Sequence, residues 1–426
     1  MKIKSEFTAD NLTIFGGFSN IFKFFTKSKA IDKLDRYISI KKIKKIYVSL
    51  DYVKILLTML TFGFKNMNQI SFLESDRYIL KLLDLERFPH VSTLGRFLKR
   101  FTFKHCQEIV DSRRDLFKRF HKLAFNLKRI TIDLDSTVLN ICGHQEGAER
   151  GYNDKKRGNR SYNPLLAFIY ETKEMLHGIL RSGSCHCANG AVEFIKEVIT
   201  MLPSRLYGVT FRADSGFFSD SILSYLESKG FNYIMSAKLY TNIVNIILSI
   251  RESTYSFYEN GKEVAVFHYK MKSWDKKRKF IVVRTLRGLY NNQIELFESG
   301  KYEYQVFITN LNGDPQKLVR YYHKRGNSEN YIKELKYDMH IGELNTDSFW
   351  ANQALFQFSI LCYNLLVWFK NIFIGKSELR TTIRTFRERF LLIPGKLIKR
   401  SRQVILKLPR DYVYKDIFKS IEIQLA

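Results

Sequence analysis

Asp133 and Asp135 stand two apart in the β-branched run ITIDLDST, where a period-two strand turns both carboxylates to one face, with Ser136 and Thr137 adding hydroxyls beside them. Carboxylates on rigid backbone are what a hard divalent cation needs. Asp214 closes the run VTFRAD ahead of Ser215-Gly216-Phe217, where a glycine turn opens the carboxyl end of a sheet, the usual place for ligands in α/β folds. A lone Asp in such a place is commonly a turn or capping residue; two at strand ends of one sheet argue for a shared site. A third carboxylate comes from the basic helix expected over about 315–337. There Tyr322, Arg325, Glu329 and Lys336 follow at intervals of three, four and seven residues, which at about 100° per residue is one narrow stripe. Glu334 points about 140° away and Asp338 lies nearly opposite, so the helix face selects Glu329, and substituting Glu334 is expected to be silent. A carboxylate flanked by Arg, Lys and Tyr suits a phosphodiester, with a metal ligand beside donors for the adjoining phosphates. The competing reading is a solvated helix with an Arg325–Glu329 ion pair.

The elements that must position these residues follow from periodicity. Residues 21–127 read as helical, with apolar spacing of three and four and Lys or Arg between, as a separate helical unit. Within it, Ser92 supplies a hydroxyl cap before the basic amphipathic stretch Thr93 to Arg100, as a helix-turn-helix reader of DNA needs. From Arg129 the period becomes two. A strand from Ile130 to Ile141, a glycine-containing basic loop, a hairpin about Lys173-Glu174, a helix, the strand VTFRAD, a helix capped by Ser219 or Asp220, and the strand FNYIMSAK give the order βββαβαβ. Residues 239–303 break that rhythm with short alternating runs and an Asn260-Gly261 turn, an inserted and mostly antiparallel β unit. The α/β pattern then resumes with YQVFITNL, the basic helix, and an apolar helix from Trp350 to Lys370. This last carries Gln357 and Asn364 and reads as buried rather than bilayer-spanning.

The chain has 426 residues, with 70 Lys+Arg against 42 Asp+Glu and a formal net charge of +28, so a polyanionic partner leads. Hydrophobic content of 45% supports large cores and excludes intrinsic disorder. From Lys370 to Arg410 there are twelve Lys/Arg and two acidic residues, which reads as an electrostatic arm or groove wall. Five scattered cysteines and an N-terminus without an apolar signal core point to a reducing cytoplasm. Cys185-His186-Cys187, with Cys142 and His144 as further ligands, lacks the paired spacing of a zinc site. Gly143 to Gly158 fits no nucleotide-binding loop, so Arg150, Lys155, Lys156, Arg157 and Arg160 are read as contacts to a DNA backbone.

The helix YYHKRGNSENYIKELK matches the Tyr-two-Arg-three-Glu-six-Lys signature of IS4-type DDE transposases, with Tyr322, Arg325, Glu329 and Lys336 in register. IDLDST, GHQEGAERGYNDKKRGNRSYNPLLAF and RADSGF resemble the IS1380 family of bacterial insertion sequence transposases, from about residue 85 to the C-terminus. The resemblance implies a ribonuclease H-like core (128–238 and 304–370) interrupted by the β-rich insertion (239–303), preceded by a helical DNA-binding region (1–127) and followed by the basic tail (371–426). It implies a catalytic and metal-binding triad of Asp135, in the Asp-x-Thr pattern with Asp133 as the alternative, Asp214 and Glu329, holding two Mg²⁺ or Mn²⁺ ions. It further implies a homodimer, nucleoid-associated in the cytoplasm, that binds the terminal inverted repeats of its element. The dimer would cleave them and join the freed 3′-hydroxyls to target DNA in a cut-and-paste reaction, with Tyr322, Arg325 and Lys336 on phosphates. In relatives an aromatic of the insertion stacks on a flipped base; Trp274 is the candidate, set against the preferred reading of an aromatic in the insertion core. A nuclease of the same fold without strand transfer, and a catalytically silent DNA-binding protein, are the alternatives.

Overall fold

A computed structural model describes residues 3–40, 46–151, 158–185, 190–203, 206–259, 261–286, 302–343, 346–375, 378, 380–401 and 403–426. Lys155, Lys156, Arg157, His186 and Cys187 lie outside them. The chain opens with helices at Phe18–Lys27 and Ala30–Tyr37, then α1 (Ser49–Phe62), α2 (Val91–Leu98) and α3 (Phe103–Ala124). Next come β1 (Arg129–Ser136), β2 (Leu165–Ile169), β3 (Met175–Ile179), α4 (Ala191–Met201), β4 (Gly208–Ala213), α5 (Asp220–Ser228) and β5 (Asn232–Ser236). A helix at Thr241–Ser249 leads to β6 (Ser256–Glu259), β7 (Lys262–Tyr269), β8 (Arg278–Leu286) and β9 (Tyr302–Thr309). The chain continues through α6 (Pro315–His323), α7 (Gly326–Lys333) and α8 (Phe349–Phe369).

These strands form one nine-stranded sheet ordered β6-β7-β8-β9-β5-β4-β1-β2-β3. The βββαβαβ order expected from periodicity is present: β2 runs antiparallel to both β1 and β3, and β4 and β5 run parallel to β1. Helical crossovers are what permit the two parallel pairings. The insertion differs from expectation. It begins with a helix, and its described strands carry the central sheet outward because β9 pairs with β5. Its backbone donors and acceptors continue the ladder that an edge at β5 would leave open.

Asp133, Asp135, Leu166, Phe168 and Gly178 share one face of the sheet by register and alternation, and α6, α7 and α8 pack on that face. His177, on the opposite face, stacks on Phe194 of α4. Helix α8 is buried almost end to end, and although its length and composition would suit a membrane span, 78% of its most apolar window lies inside the protein. Its polar residues have a definite job. Met175 N donates to Asn364 Oδ1 (2.9 Å), Asn364 Nδ2 donates to Met175 O (2.8 Å), Gln357 Nε2 donates to Gly178 O (2.8 Å) and Leu180 N donates to Gln353 Oε1 (2.9 Å). One side of α8 thus satisfies the backbone of the edge strand β3, groups that cannot stay unpaired once buried.

The N-terminal helices share this core instead of forming one of their own: α1 and α3 pack on α8, because the outer side of that helix is as apolar as its inner side. Arg113 of α3, fully buried, donates to Gln357 Oε1 (2.5 Å), so even the polar contacts join the two. The hydroxyl cap expected at Ser92 is instead an imidazole: His90 precedes α2 and its Nδ1 accepts from Ser92 N (3.2 Å).

The basic C-terminal region is folded, which corrects the reading of an arm. Ile383–Phe390 is a helix, Gly395–Arg400 and Gln403–Lys407 form a hairpin that pairs with Leu12–Thr13, and Lys415–Gln424 is a final helix. Gly16 N and Gly17 N donate to Ile393 O (2.9 Å) and Leu391 O (3.2 Å), and a Cβ on Gly17 would meet Phe390 O at 1.8 Å. Only glycine allows so close a backbone approach. Gly17→Ala should therefore destabilise the whole chain by about 1–3 kcal/mol as an overpacked contact. A loose tail would instead leave the thermal unfolding midpoint where it is.

Candidate active site

The register of β1 against β4 assembles the site. Asp133 pairs with Arg212 and Leu134 with Ala213, so the next step along both strands sets Asp135 beside Asp214 at the carboxyl ends of two adjacent parallel strands. Strands lie about 4.8 Å apart in the hydrogen-bonding direction, which brings the two carboxylates together on one face. Asp214 is fixed by its own turn, its Oδ1 accepting from Gly216 N (2.8 Å), while Asp135 Oδ1 accepts from Ser136 N (2.8 Å). The remaining oxygens converge on Arg325, whose Nη2 lies 3.0 Å from Asp135 Oδ2 and 3.8 Å from Asp214 Oδ2. Arg325 Nε is buried without a hydrogen-bond partner among the described residues.

Asp133, the alternative first ligand, is engaged elsewhere. Arg212 Nε and Nη2 donate to its two oxygens (2.6 and 2.8 Å), and both side chains are fully buried. Arg212 Nη1 donates to Tyr321 O (2.6 Å), and its guanidinium lies between the Tyr170 and Tyr321 rings, 4.5 and 4.9 Å from their centroids. Asp133 is spent on this clamp, and Asp135 is the carboxylate that faces Asp214. Burial raises the Asp133 carboxyl against the pull of Arg212. Burial likewise pushes Asp135 up to about 6, with Arg325 opposing and the Asp214 charge adding to the rise.

The basic helix is not continuous. Tight turns replace α-helical ones at Lys324 and Arg325, where Arg325 N, Asn327 N and Ser328 N donate three residues back, and one turn of π-helix follows at Glu334–Asp338. The uniform 100° step therefore fails across it. Tyr322 is half-buried against Phe307, with ring centroids 4.6 Å apart, and burial raises its hydroxyl, with the Arg325 charge opposing. Lys336 Nζ donates to Val138 O (2.9 Å), just beyond Asp135. Glu329 is exposed, and Arg325 pairs with the two aspartates instead of with it. Tyr322, Arg325 and Lys336 thus gather round Asp135 and Asp214, whereas Glu329 does not join them. Among the described residues no three His, Cys, Asp or Glu side chains stand close enough to share a metal.

Glu334 is not the solvated position that helical spacing implies. It is buried, 3.6 Å from Lys173 Nζ, with Tyr363 Oη donating to it (3.4 Å) and the Lys370 ammonium, pushed down to about 8 by burial, among its neighbours. It lies about 140° round the regular α7 from exposed Glu329, on the face that packs inward. Arg150 and Arg160 are exposed and pair across a small sheet formed by Leu139–Asn140, Glu149–Arg150 and Arg160–Tyr162. Trp274 is 6% exposed, packed on Phe218 (5.2 Å) with Arg278 over its ring (4.8 Å). Sequence reasoning missed Arg212 and Tyr321. The one signal for them was the period-two step that puts Arg212 on the face of Asp214.

A strand-end pair of aspartates on one large mixed sheet covered by helices places the chain in the α/β class of folds. The family model described as "Transposase DDE domain group 1" matches residues 1–426, and the chain belongs to that family. No curated protein sequence matches it. The piggyBac transposase, solved as a synaptic complex with hairpin DNA, superposes with a TM-score of 0.51 at 13% identity, covering 88% of this chain and 79% of that one, a likeness of fold. The Mos1 transposase paired-end complex reaches a TM-score of only 0.18 at 14% identity over 46% of this chain and 60% of that one, too low to add to the comparison.

Two outcomes follow from this geometry. The folded Asp135 carboxyl holds its proton to a higher pH than the unfolded chain, so its ionisation weakens folding as pH rises from about 4 to about 6. Asp135→Asn removes that term. In metal-free urea denaturation its stability relative to wild type should improve by up to about 3 kcal/mol between pH 4 and pH 7; a constant difference would contradict the buried setting. Glu334→Ala, by stranding Lys173 and Lys370, should cost about 3 kcal/mol in the same assay, where a solvated residue would cost nothing measurable.

Proposed function

We propose that this protein is a DNA transposase of a bacterial insertion sequence of the IS1380 type, cytoplasmic and acting as a homodimer on paired element ends. It would cut DNA at those ends and join the freed 3′-hydroxyls to a target. The observation that carries the reading is the convergence of Asp135 and Asp214 on the single Arg325 at the carboxyl end of β1 and β4. Hard carboxylate oxygens converging on one point suit a divalent cation, and the unpaired Arg325 Nε is a donor left for a phosphate oxygen. Asp135 and Asp214 would hold Mg²⁺ or Mn²⁺, with Glu329 as the third ligand on the strength of the sequence signature alone. When bound, the metal supplies Lewis-acid stabilisation of charge at the scissile phosphate and a water of lowered pKa.

The chain's own groups do the positioning. Arg325 reaches both aspartates through one edge of its guanidinium, and its fork geometry matches a phosphate oxygen pair once those carboxylates are otherwise neutralised. Lys336 stands on the far side of Asp135, at Val138, where a phosphate on the neighbouring nucleotide would lie. Tyr322, packed on Phe307, would add its hydroxyl as a further donor to a bound phosphate. Arg150 and Arg160, and by sequence Lys155, Lys156 and Arg157, would carry the backbone of the bound duplex.

Incubating the purified chain with Mg²⁺ and labelled duplexes carrying the DNA that flanks its own gene tests this. Cuts at a defined end should disappear in Asp214→Ala and in Glu329→Ala, each by at least about a thousandfold, with end binding retained. Robust cutting by Glu329→Ala would remove that residue from the triad. Cuts never followed by joining would favour a nuclease of the same fold.

A further inference from the structure

We infer that a groove between the segment 46–52 and the loop and helix spanning 87–100 is a second DNA-binding surface, away from the aspartates, that grips the phosphate backbone of a duplex. This rests on the transposase reading above. The groove encloses about 760 Å³ and is lined by Tyr47 and Tyr52 on one wall and by Arg87, His90, Arg96 and Arg100 on the other. The three arginines are exposed, and none forms an ion pair with a described carboxylate, whereas their neighbour Lys99 is paired with Asp347 (3.3 Å). Guanidinium groups without acidic partners on one concave surface are what a polyanion neutralises.

The groove is built, not incidental. Its two walls meet in an aromatic stack in which Tyr52 lies on Phe97 (4.5 Å, 13°) and Tyr47 tilts against Tyr52 (5.7 Å). Tyr47 Oη donates to Arg87 O (3.2 Å), joining the two walls. Arg96 reaches back along α2, Nε to Ser92 O and Nη2 to Thr93 Oγ1 (both 3.3 Å), so its charge is held over the first turn rather than free to swing. Helix α2 has only eight residues and serves as one wall, so the DNA contact expected of it becomes that of a groove in which Arg87, outside the helix, takes part. Glu74 is the one acidic group in the lining and pairs with none of the three arginines.

Fluorescence anisotropy of the full chain on duplexes carrying its own flanking DNA, titrated between 50 and 300 mM salt, tests the groove. Arg87→Ala/Arg96→Ala/Arg100→Ala should weaken binding at least about tenfold at 150 mM salt and reduce the slope of log K against log salt by about 2.7, the value for three phosphate contacts. Replacing all three by Lys should restore most of the slope. Removing Lys229, Lys317 and Lys419, exposed charges elsewhere, should leave it unchanged. An equal loss of slope in that control, or an unchanged slope in the arginine variant with its thermal unfolding intact, overturns the groove. Wild-type chain that binds no duplex overturns the transposase reading as well, whereas wild-type binding with an unaltered variant overturns the groove alone.

Discussion

The site depends on one buried guanidinium. Arg212 is fully desolvated, which costs several kcal/mol unless every donor is used, and the fold uses them on Asp133 and on the carbonyl of Tyr321. Those contacts join β4 to β1 and both strands to α6. A one-residue slip of β1 against β4 would leave a buried Asp and a buried Arg unpaired, so the register is strongly specified. With it comes the adjacency of Asp135 and Asp214. Tyr321, gripped at its carbonyl, directly precedes the turn in which Arg325 N donates to Tyr322 O.

The site above the clamp is held in the opposite way. Asp135 and Asp214 are like charges at close range, one of them buried, and such a pair is stable only with a cation between or a proton on one member. Arg325 supplies the cation incompletely, since its 3.8 Å approach to Asp214 is a weaker contact than the bidentate grip below. The contrast separates structure from chemistry. The Arg212–Asp133 pair is saturated and inaccessible, and the Arg325 group is under-coordinated and opens on the sheet's carboxyl edge.

Much of this was legible in the residues. Alternation in ITIDLDST and VTFRAD located both strands and the shared face of the aspartates, and the turn residues after Asp214 located the sheet edge. Alternation carries no register, however, so Asp133 and Asp135 stayed equivalent until the partner strand placed Arg212 beside the first. Helical spacing selected Tyr322, Arg325 and Lys336, but it assumes a constant step. The tight turns at 324–325 break that step ahead of Glu329, which stays on the surface, while Glu334, about 140° further round the regular α7, takes the inward face. Gln357 and Asn364 were readable as wrong for a bilayer. Their function as caps of the edge strand β3 was not, because it belongs to a contact between segments nearly two hundred residues apart.

Charge shows the same limit. A net charge of +28 announces a polyanion but says nothing of where it sits. Arg113, Arg212, Arg278, Arg284 and Arg387 are all buried. Arg387, from the basic C-terminal stretch, donates Nε to Thr61 O (2.6 Å) and Nη2 to Leu60 O (3.0 Å), closing the C-terminus of α1 where the helix dipole favours a cation. Arg278 and Arg284 are each tied to two carboxylates. Such residues hold the fold and are lost to any ligand. The charge free to meet DNA is therefore smaller and more localised than the total, and it is carried by side chains that are exposed, held in place and without an acidic partner. A count of Lys and Arg along the chain points toward the C-terminal stretch; burial and pairing shift the weight to the walls of particular grooves.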